Sequence, residues 1–427
     1  MDLPKVTIIV PVYNSEIHLR ECLNNLVMQT YKNIEIICVD DGSIDSSLSI
    51  LKKYSNTDPR ITVISQDNMG VSCARNAGLA HTHSEYVMFC DSDDYYEWNT
   101  VELCVNEILS HKNVDGVLFN AQFFSPNGTV VSALQGDIYD KIPHHISCKT
   151  SEFLGCFINV CFGCFSMQVI NRYDIRFNEG RIYEDWDFMG HFTSKATDLI
   201  WINCVQYHYR WNQEASISKN VSRSCLDIFE TLSNVRQYYQ ESGRWENVQF
   251  AYYIRALNHL EYFKHKNIPR ATMDVQTEFD KKLADFIQEL PYEFLIAVLC
   301  HIPVEYRIEI LQTCKDPNAA IDVRLCQQQL LKGRIREKFR RIYQKLKHIL
   351  MAILPAYRVS VNTRYEMEQL YSSMTARMDY LLSEQRKILN EVDMLHKKLG
   401  IDFDEKMQIN SEKMRELNQI YGHSEDE

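Results

Sequence analysis

At 427 residues, the chain is longer than one ordinary domain, and we expect two or three. Its 45% hydrophobic and 24% charged residues are typical of a globular protein, and its net charge of −11 argues against general nucleic-acid binding. No apolar run approaches the roughly 18 residues of a membrane-spanning helix. The 14 cysteines lie largely in apolar stretches, and no signal peptide precedes the first strand. We therefore expect a protein of the reducing cytoplasm, without a disulfide framework.

The first part of the chain alternates apolar strands with helical patterns. Strands are predicted at residues 6–13, 34–40, 61–65 and 86–90. Helices are predicted up to about residue 28, at 44–54 and at 71–81, the first of them after the N-cap candidates Asn14 and Ser15. Continuous apolar strands joined by helices indicate an α/β fold with a mostly parallel sheet that is buried on both faces.

Polar motifs lie at the carboxyl ends of three of these strands, in residues 11–14, 40–43 and 91–94. Ligands of such sheets bind beyond that rim, so the topology gathers carboxylates at one place. No G-x-G-x-x-G follows the first strand, which disfavours a dinucleotide-binding domain.

The sequence YVMFCDSDD, residues 86–94, ends a buried strand in three carboxylates that repel one another. Asp91 and Asp93 are spaced to share one Mg²⁺ or Mn²⁺, which would neutralise a leaving diphosphate. The alternative is an exposed acidic turn, because D-x-D is common by chance. Asp41 can accept a hydrogen bond from a base, and Arg75 is suited either to phosphate or to a structural salt bridge with the acidic cluster.

The rest of the chain divides by composition. Residues 114–220 read as mixed strands and loops, in which Cys161 and Cys164 form a lone C-x-x-C that we interpret as two core cysteines. Residues 221–331 are predicted to be helical. Residues 332–360 form a basic amphipathic segment, whose part 332–358 is typical of an interfacial helix on an anionic membrane, with a solvated helix face as the alternative.

A heptad pattern follows in residues 361–400, and residues 401–427 are predicted to be a partly disordered tail. The heptad seam spans 367–399 and comprises Met367, Tyr371, Met374, Met378, Leu381, Gln385, Ile388, Val392, Leu395 and Leu399, in which the polar Gln385 can set register or oligomer state. This spacing predicts a coiled coil that makes a homo-oligomer, and the alternative is one helix folded back on the protein.

Several stretches together resemble glycosyltransferase family 2, of bacterial surface-polysaccharide type. They are VTIIVPVYN, QTYKNIEIICVDDGSIDSS, NMGVSCARNAGL and YVMFCDSDD, then IRFNEGRIYEDWDF at 175–188 and YHYRWNQEASIS at 207–218. The resemblance implies a GT-A fold, which is Rossmann-like, over residues 1–220. It also implies inverting transfer of a sugar from a nucleotide donor, by family habit a UDP-sugar.

The resemblance also implies roles for single residues. The nucleotide would be held by Pro11, Tyr13, Asp41, Asn68, Arg75, Asp91 and Ser92. The metal, Mn²⁺ or Mg²⁺, would bind Asp93 and Asp91. Asp185 would be the general base supported by Glu184. Independently of the resemblance, His208 can be a third metal ligand or contact the diphosphate, and the alternative is a histidine packed in the core. Beyond the resemblance, Trp186 can form an apolar wall for a sugar ring, with core packing as the alternative, and Arg210, Ser216 and Ser218 can close over the diphosphate as a mobile segment.

The chain departs from the family pattern at residues 160–170, VCFGCFSMQVI. The family often carries Trp and a basic residue there, whereas this chain has Phe162 and Cys164, which indicates an unusual acceptor. The expected acceptor is a glycan or a lipid-linked precursor at the inner face of the cell membrane. Two other readings are open: a non-catalytic scaffold with a degenerate transferase domain, and a nucleotidyltransferase, which usually needs a glycine-rich loop that PVYNSEIH lacks.

Overall fold

The computed structural model describes residues 3–111, 114–125, 130–133, 144–148, 159–211, 223–290, 292–299, 302, 304–313 and 326. The chain forms two compact units, Met1–Phe286 and Ile287–Glu427. The basic segment, the heptad tract, the tail, Ser216 and Ser218 lie outside the described residues. Among the helices that are described, none is both long and apolar enough to cross a membrane.

Within the described residues, ten strands form one sheet. Their bounds are β1 Val6–Val12, β2 Ile34–Asp41, β3 Ile61–Gln66, β4 Tyr86–Phe89, β5 Tyr95–Tyr96, β6 Gly116–Phe124, β7 Val130–Ala133, β8 His145–Ser147, β9 Gly163–Ser166 and β10 Asp198–Arg210. The order is β3-β2-β1-β4-β9-β6-β10-β5, with β7 paired to β6 and β8 paired to β10.

The first four strands pair in parallel, which confirms the predicted α/β architecture for this part of the chain. All seven residues of β1 are buried, as expected for a central strand covered on both faces. The sheet as a whole is mixed, because β9 lies antiparallel between β4 and β6, and β5, β7 and β8 also pair antiparallel with their neighbours. Two antiparallel pairings in succession leave β6 running in the same direction as β4.

The described helices of the first unit alternate with the strands and continue after the last strand. They are α1 Leu19–Val27, α2 Ser47–Thr57, α3 Val71–Ala80, α4 Thr100–Ser110, α5 Met167–Arg172, α6 Glu184–Lys195, α7 Asp227–Glu241, α8 Trp245–Lys266 and α9 Met273–Gln288, the last ending just past the unit boundary. The second unit contains α10 Tyr292–Leu299 and α11 Val304–Thr313. The helical character predicted after residue 221 is therefore present in the described part.

The N-cap prediction for α1 was wrong. Asn14 adopts a left-handed backbone with φ of 49°, and the carbonyl of Ser15 accepts hydrogen bonds from the N–H groups of His18 and Leu19. A turn therefore separates the strand from the helix, and His18 is the N-cap residue. The Asn14 side chain instead accepts a hydrogen bond from the Ile44 N–H, which ties the β1 loop to the β2 loop.

Helix α6 is anchored by the helices that follow the sheet. The hydroxyls of Thr193 and Tyr239 lie 2.8 Å apart, and Arg244 donates to the carbonyls of Thr193 and Ala196. A Cβ on Gly190 would lie 2.5 Å from a methyl group of Val235, so α6 and α7 approach as closely as a glycine allows. The position of α6 thus depends on packing against α7.

Candidate active site

The acidic loop after β4 is fixed to its neighbours by hydrogen bonds. The Ser92 hydroxyl lies 2.6 Å from that of Ser15, which joins the acidic loop to the loop after β1. The N–H of Asp91 donates to the Tyr207 hydroxyl over 3.2 Å. Polar ends of strands that are distant in sequence therefore meet here, as the parallel topology predicted.

One buried guanidinium joins the two acidic motifs. Arg75 donates from Nη2 to Asp91 and from Nη1 to Glu184, both over 2.8 Å. Glu184 is 109 residues further along the chain than Arg75, and only 4% of the Arg75 side chain is exposed. The contact therefore places the E-D pair of α6 beside the D-S-D loop.

Arg75 is suited to this position by its charge and its surroundings. Burial acts to lower its pKa, but the carboxylates of Asp91 and Glu184 outweigh that effect and raise the pKa above its usual value. Its guanidinium also lies 5.3 Å from the centre of the Phe177 ring. In this structure the contacts of Arg75 therefore match a salt bridge with the acidic cluster, one of its two predicted roles.

Asp93 and Asp94 have different environments. The Asp94 carboxylate is 2% exposed and accepts hydrogen bonds from the Tyr207 hydroxyl and the Arg210 N–H. The pKa of Asp93 is raised to about 6 by burial and by the charge of Asp91. Because two crowded carboxylates oppose ionisation here, the oxygen ligands at this position fit a hard divalent cation.

Arg210 closes one side of the acidic loop. Its Nε donates to the carbonyl oxygen of Asp93 over 3.0 Å, and its Nη2 donates to Glu21 over 2.9 Å. The guanidinium also lies 4.7 Å from the centre of the Phe124 ring. The predicted diphosphate residue is therefore next to the predicted metal residue.

Asp41 has contacts that the sequence did not predict. Its carboxylate accepts hydrogen bonds from the Gln66 side chain and from the N–H groups of Met69 and Gly70, at 2.8–2.9 Å. These bonds fix the loop that leads into α3, which carries Arg75. Gly42, with φ of +71°, lets that loop approach, because a Cβ there would lie 2.8 Å from the Asn68 nitrogen.

The remaining predicted nucleotide residues lie around this rim. Pro11 is buried in β1, whereas Tyr13 and Asn68 are exposed. Tyr13 follows the end of β1 and exposes 48% of its surface. An exposed aromatic ring next to exposed polar groups is the kind of surface that can stack on a base.

The E-D pair begins α6. Tyr183 precedes it with φ of 67°, and the Asp185 carboxylate accepts a hydrogen bond from the Trp186 N–H over 2.9 Å. Burial, together with the charge of Glu184, raises the pKa of Asp185 to about 7. A carboxylate with a pKa near neutrality is matched to the work of a general base.

Asp187, which the sequence analysis did not single out, holds the first turn of α6. It is 1% exposed and accepts hydrogen bonds from Asn234 and from the Tyr238 hydroxyl, both on α7. The next turn brings Gly190 against Val235. The E-D pair is thus positioned by residues of the helical region.

Two predicted residues have aromatic neighbours. Trp186 lies 4.3 Å from the His259 ring of α8, between ring centres. His208 stacks on Tyr95 at 4.6 Å, and its Nε2 lies 2.7 Å from Glu97. The contact with Glu97 gives His208 a carboxylate partner that the sequence did not indicate.

Sequence reasoning missed three side chains that shape this site. Tyr207 binds both Asp91 and Asp94, Glu21 pairs with Arg210, and Phe177 packs on Arg75. Tyr207 lies in the Y-x-Y-R segment, so its repeated tyrosine was a usable signal. Glu21 lies in α1, and no sequence signal indicated its role, because its partner Arg210 is 189 residues away.

Comparison with known proteins assigns the family. Residues 7–176 match the family model described as Glycosyl transferase family 2. Residues 7–176 therefore form a glycosyltransferase family 2 domain. This confirms the resemblance inferred from the motifs, from the opening strand to the residues before the E-D pair.

Two curated relatives each match about half of the chain. "Glycosyltransferase GlyA" of Streptococcus pneumoniae is 36% identical over 217 residues, which is 48% of this chain and 30% of that protein. "Minor teichoic acid biosynthesis protein GgaB" of Bacillus subtilis is 29% identical over 234 residues, which is 52% of this chain and 25% of that protein. The chain therefore spans less than a third of the length of these two relatives.

Similarity to a solved structure covers more of the chain than the family model does. A structure of S. aureus TarS 1–349 in complex with UDP-GlcNAc is similar with a TM-score of 0.59 and 22% identity, covering 77% of this chain and 92% of TarS 1–349. The similarity confirms a GT-A-like α/β fold. The predicted coiled coil stays a prediction.

The Arg75 bridge can be tested by stability. Arg75→Met leaves Asp91 and Glu184 without their shared cation, and we expect the free energy of unfolding in urea to fall by about 3–5 kcal/mol. Arg75→Lys keeps the charge but not the two-pronged geometry, and its loss should be intermediate.

Lys5→Met is the matched control, because Lys5 pairs with Glu35 over 3.3 Å at a more exposed position. Loss of that surface pair should cost at most about 1 kcal/mol. Equal losses for Arg75→Met and Lys5→Met would show that the buried bridge contributes little to the fold.

Proposed function

We propose that this family 2 glycosyltransferase moves a sugar, with inversion, from a UDP-sugar to a hydroxyl group of a glycan or lipid-linked acceptor. The observation that carries the proposal is the Arg75 bridge between Asp91 and Glu184. The bridge joins the D-S-D loop, which would bind the donor, to the E-D pair, which would meet the acceptor. A donor bound at the D-S-D loop would therefore have Asp185 on its acceptor side.

In this proposal the donor lies over the carboxyl ends of β1, β2 and β4. Tyr13 and Asn68 are exposed there and would contact the base and ribose, next to Pro11. Asp41 would support the pocket through the loop that it fixes. Its carboxylate would still be able to accept one more hydrogen bond, from the base of the nucleotide. Ser92 and Asp91 would contact the ribose or the diphosphate. UDP is favoured because TarS, which has a similar fold, is described in complex with UDP-GlcNAc.

Asp93 and Asp91 would hold the metal, Mn²⁺ or Mg²⁺. A bound ion supplies positive charge to the leaving diphosphate. Arg210, already against the Asp93 carbonyl, would add a second positive charge, and Ser216 and Ser218 would complete a closing segment with it. His208 Nε2 lies against Glu97, so His208 would have to leave that carboxylate before its Nε2 could bind the metal.

Asp185 would remove the proton of the attacking hydroxyl. The hydroxyl oxygen then bonds to the anomeric carbon as the bond to the diphosphate breaks, and the proton stays on Asp185. Glu184 supports this step because its negative charge helps to raise the pKa of Asp185. Trp186 would provide an apolar wall for the acceptor ring.

Two further proposals concern location and assembly. The basic residues of 332–358 would hold the enzyme at the inner face of an anionic membrane, close to a lipid-linked acceptor. The heptads of 367–399 would join copies of the chain. The acceptor class is supported by GgaB, whose name places that relative in teichoic acid biosynthesis.

The function is tested by donor hydrolysis. Purified protein is incubated with UDP- and GDP-sugars, with Mn²⁺ or with EDTA, and released nucleotide is measured. We expect slow release from one UDP-sugar, lost with EDTA and lost in Asp93→Asn. The control Glu85→Gln changes a carboxylate that precedes β4 and accepts a hydrogen bond from the Lys5 N–H, at the opposite end of that strand, and it should keep metal dependence.

Absence of release, together with absence of Mn²⁺-dependent UDP binding by calorimetry, would contradict the proposal. A non-catalytic scaffold would then be the better account of the chain.

The base is tested by the pH dependence of transfer. Only the ionised form of Asp185 can take a proton, so kcat/KM should fall about tenfold per pH unit below about 7 and level off above it. Asp185→Asn should lower kcat by about 10²–10⁴-fold and abolish this limb.

Asp187→Asn is the control for damage to α6, because Asp187 lies in the same helical turn and contacts α7. Asp187→Asn should lower the stability of the fold, yet kcat/KM should still fall below about pH 7. A limb that persists in Asp185→Asn would assign the titration to another group.

A further inference from the structure

A second group of metal-type ligands lies away from the acidic loop. Glu107 and His111 are four residues apart on α4 and its C-cap, and His144 immediately precedes β8. The Glu107 Oε2 lies 3.3 Å from Nε2 of His144 and 3.5 Å from Nδ1 of His111. One ligand atom from each residue lies within 4.8 Å of the other two.

These distances have a meaning for coordination. Zinc binds imidazole nitrogen and carboxylate oxygen at about 2.0–2.2 Å, and two ligands of a tetrahedral ion are then about 3.4 Å apart. The two Glu107 separations therefore match two edges of a tetrahedral site. Two imidazoles with one carboxylate favour zinc, whereas a site made only of carboxylates favours Mg²⁺ or Mn²⁺.

The three residues are held by the fold, not by one another alone. The carbonyl of His144 accepts a hydrogen bond from the Trp201 N–H over 2.7 Å, which fixes the start of β8 beside β10. Glu107 and His111 are spaced by one turn of helix and lie on one face of it. The Glu107 side chain is 27% exposed, and the His111 and His144 side chains are 37% and 55% exposed, so an ion can reach them.

The cluster lies at the rim opposite to the acidic loop. His111 comes just before β6, and His144 precedes β8, which pairs with the first residues of β10. Strand β6 runs in the same direction as β4, so its amino end is at the other edge of the sheet from Asp91. An ion held here would not meet the diphosphate of a bound donor.

We propose that Glu107, His111 and His144 form a zinc site that joins the end of α4 to the start of β8. The fourth position is taken by water. The ion acts as a structural clamp between two segments that are otherwise linked through the sheet.

Binding requires one local change. Nδ1 of His111 lies 3.0 Å from the Glu107 carbonyl, to which it can donate. A zinc ion that binds Nδ1 leaves the imidazole proton on Nε2, the other tautomer of the neutral ring, and replaces that hydrogen bond with a metal bond. Because the ligands must be neutral imidazoles, acid should release the ion.

The test uses the full 427-residue chain after treatment with EDTA. Zinc binding is measured by calorimetry in an excess of Mg²⁺, which occupies the carboxylate-only positions. We expect one zinc per chain, with at least about 100-fold weaker binding in His144→Ala, since loss of even a supporting partner costs about 10–100-fold.

The matched control is His145→Ala. His145 is the next residue, is 59% exposed and lies 3.5 Å from Asp198, outside the cluster. It should bind zinc like the wild type. Glu107→Gln supplies a second variant in case His144→Ala folds poorly, and circular dichroism checks both.

Cobalt distinguishes this site from thiols. Co²⁺ bound to two imidazoles and a carboxylate gives visible d–d bands without a sulfur charge-transfer band, and His144→Ala should abolish them. Equal zinc affinity in wild type and His144→Ala, a sulfur charge-transfer band as the main cobalt signal, or absence of zinc binding would each overturn the proposal.

Discussion

The contact between Arg75 and the carboxylates of Asp91 and Glu184 is the interaction on which the site depends. It is buried, and it joins segments separated by 16 and by 109 residues. Without this guanidinium, the carboxylates of Asp91 and Glu184 would lose their shared cation, which is costly in a low-dielectric environment. The loop held by Asp41 leads into α3, which carries Arg75, and α6 begins with Glu184. A shift of either segment would therefore move the proposed base relative to the proposed donor.

The helical region after the sheet supports the same geometry from the other side. Asp187 and Gly190 of α6 contact α7, and Trp186 contacts His259 of α8. These helices lie beyond the residues that match the family model, 7–176. The region therefore has a structural connection to the E-D pair, although the sequence did not indicate its role.

The sequence predicted those features that have a local signal. Strands β1 to β4 are continuous apolar runs, and the acidic motifs follow them directly, so the parallel core and the position of the D-S-D loop were predictable. Strand β9 has four residues, too few for a periodic pattern, and its antiparallel insertion was not predicted. The Tyr207–Asp94 and Arg210–Glu21 contacts join residues more than a hundred positions apart, and no local pattern reports such pairs. The N-cap of α1 was misplaced because Asn14 binds the β2 loop instead.

We propose that donor, metal and base meet around the Arg75 bridge. The most direct measurement is a crystal structure with UDP and Mn²⁺, with the ion located by anomalous scattering. We expect one strong peak beside the Asp93 carboxylate and the diphosphate, with Arg75 still bound to Asp91 and Glu184. A peak away from Asp93, or UDP bound away from the carboxyl ends of β1, β2 and β4, would contradict it.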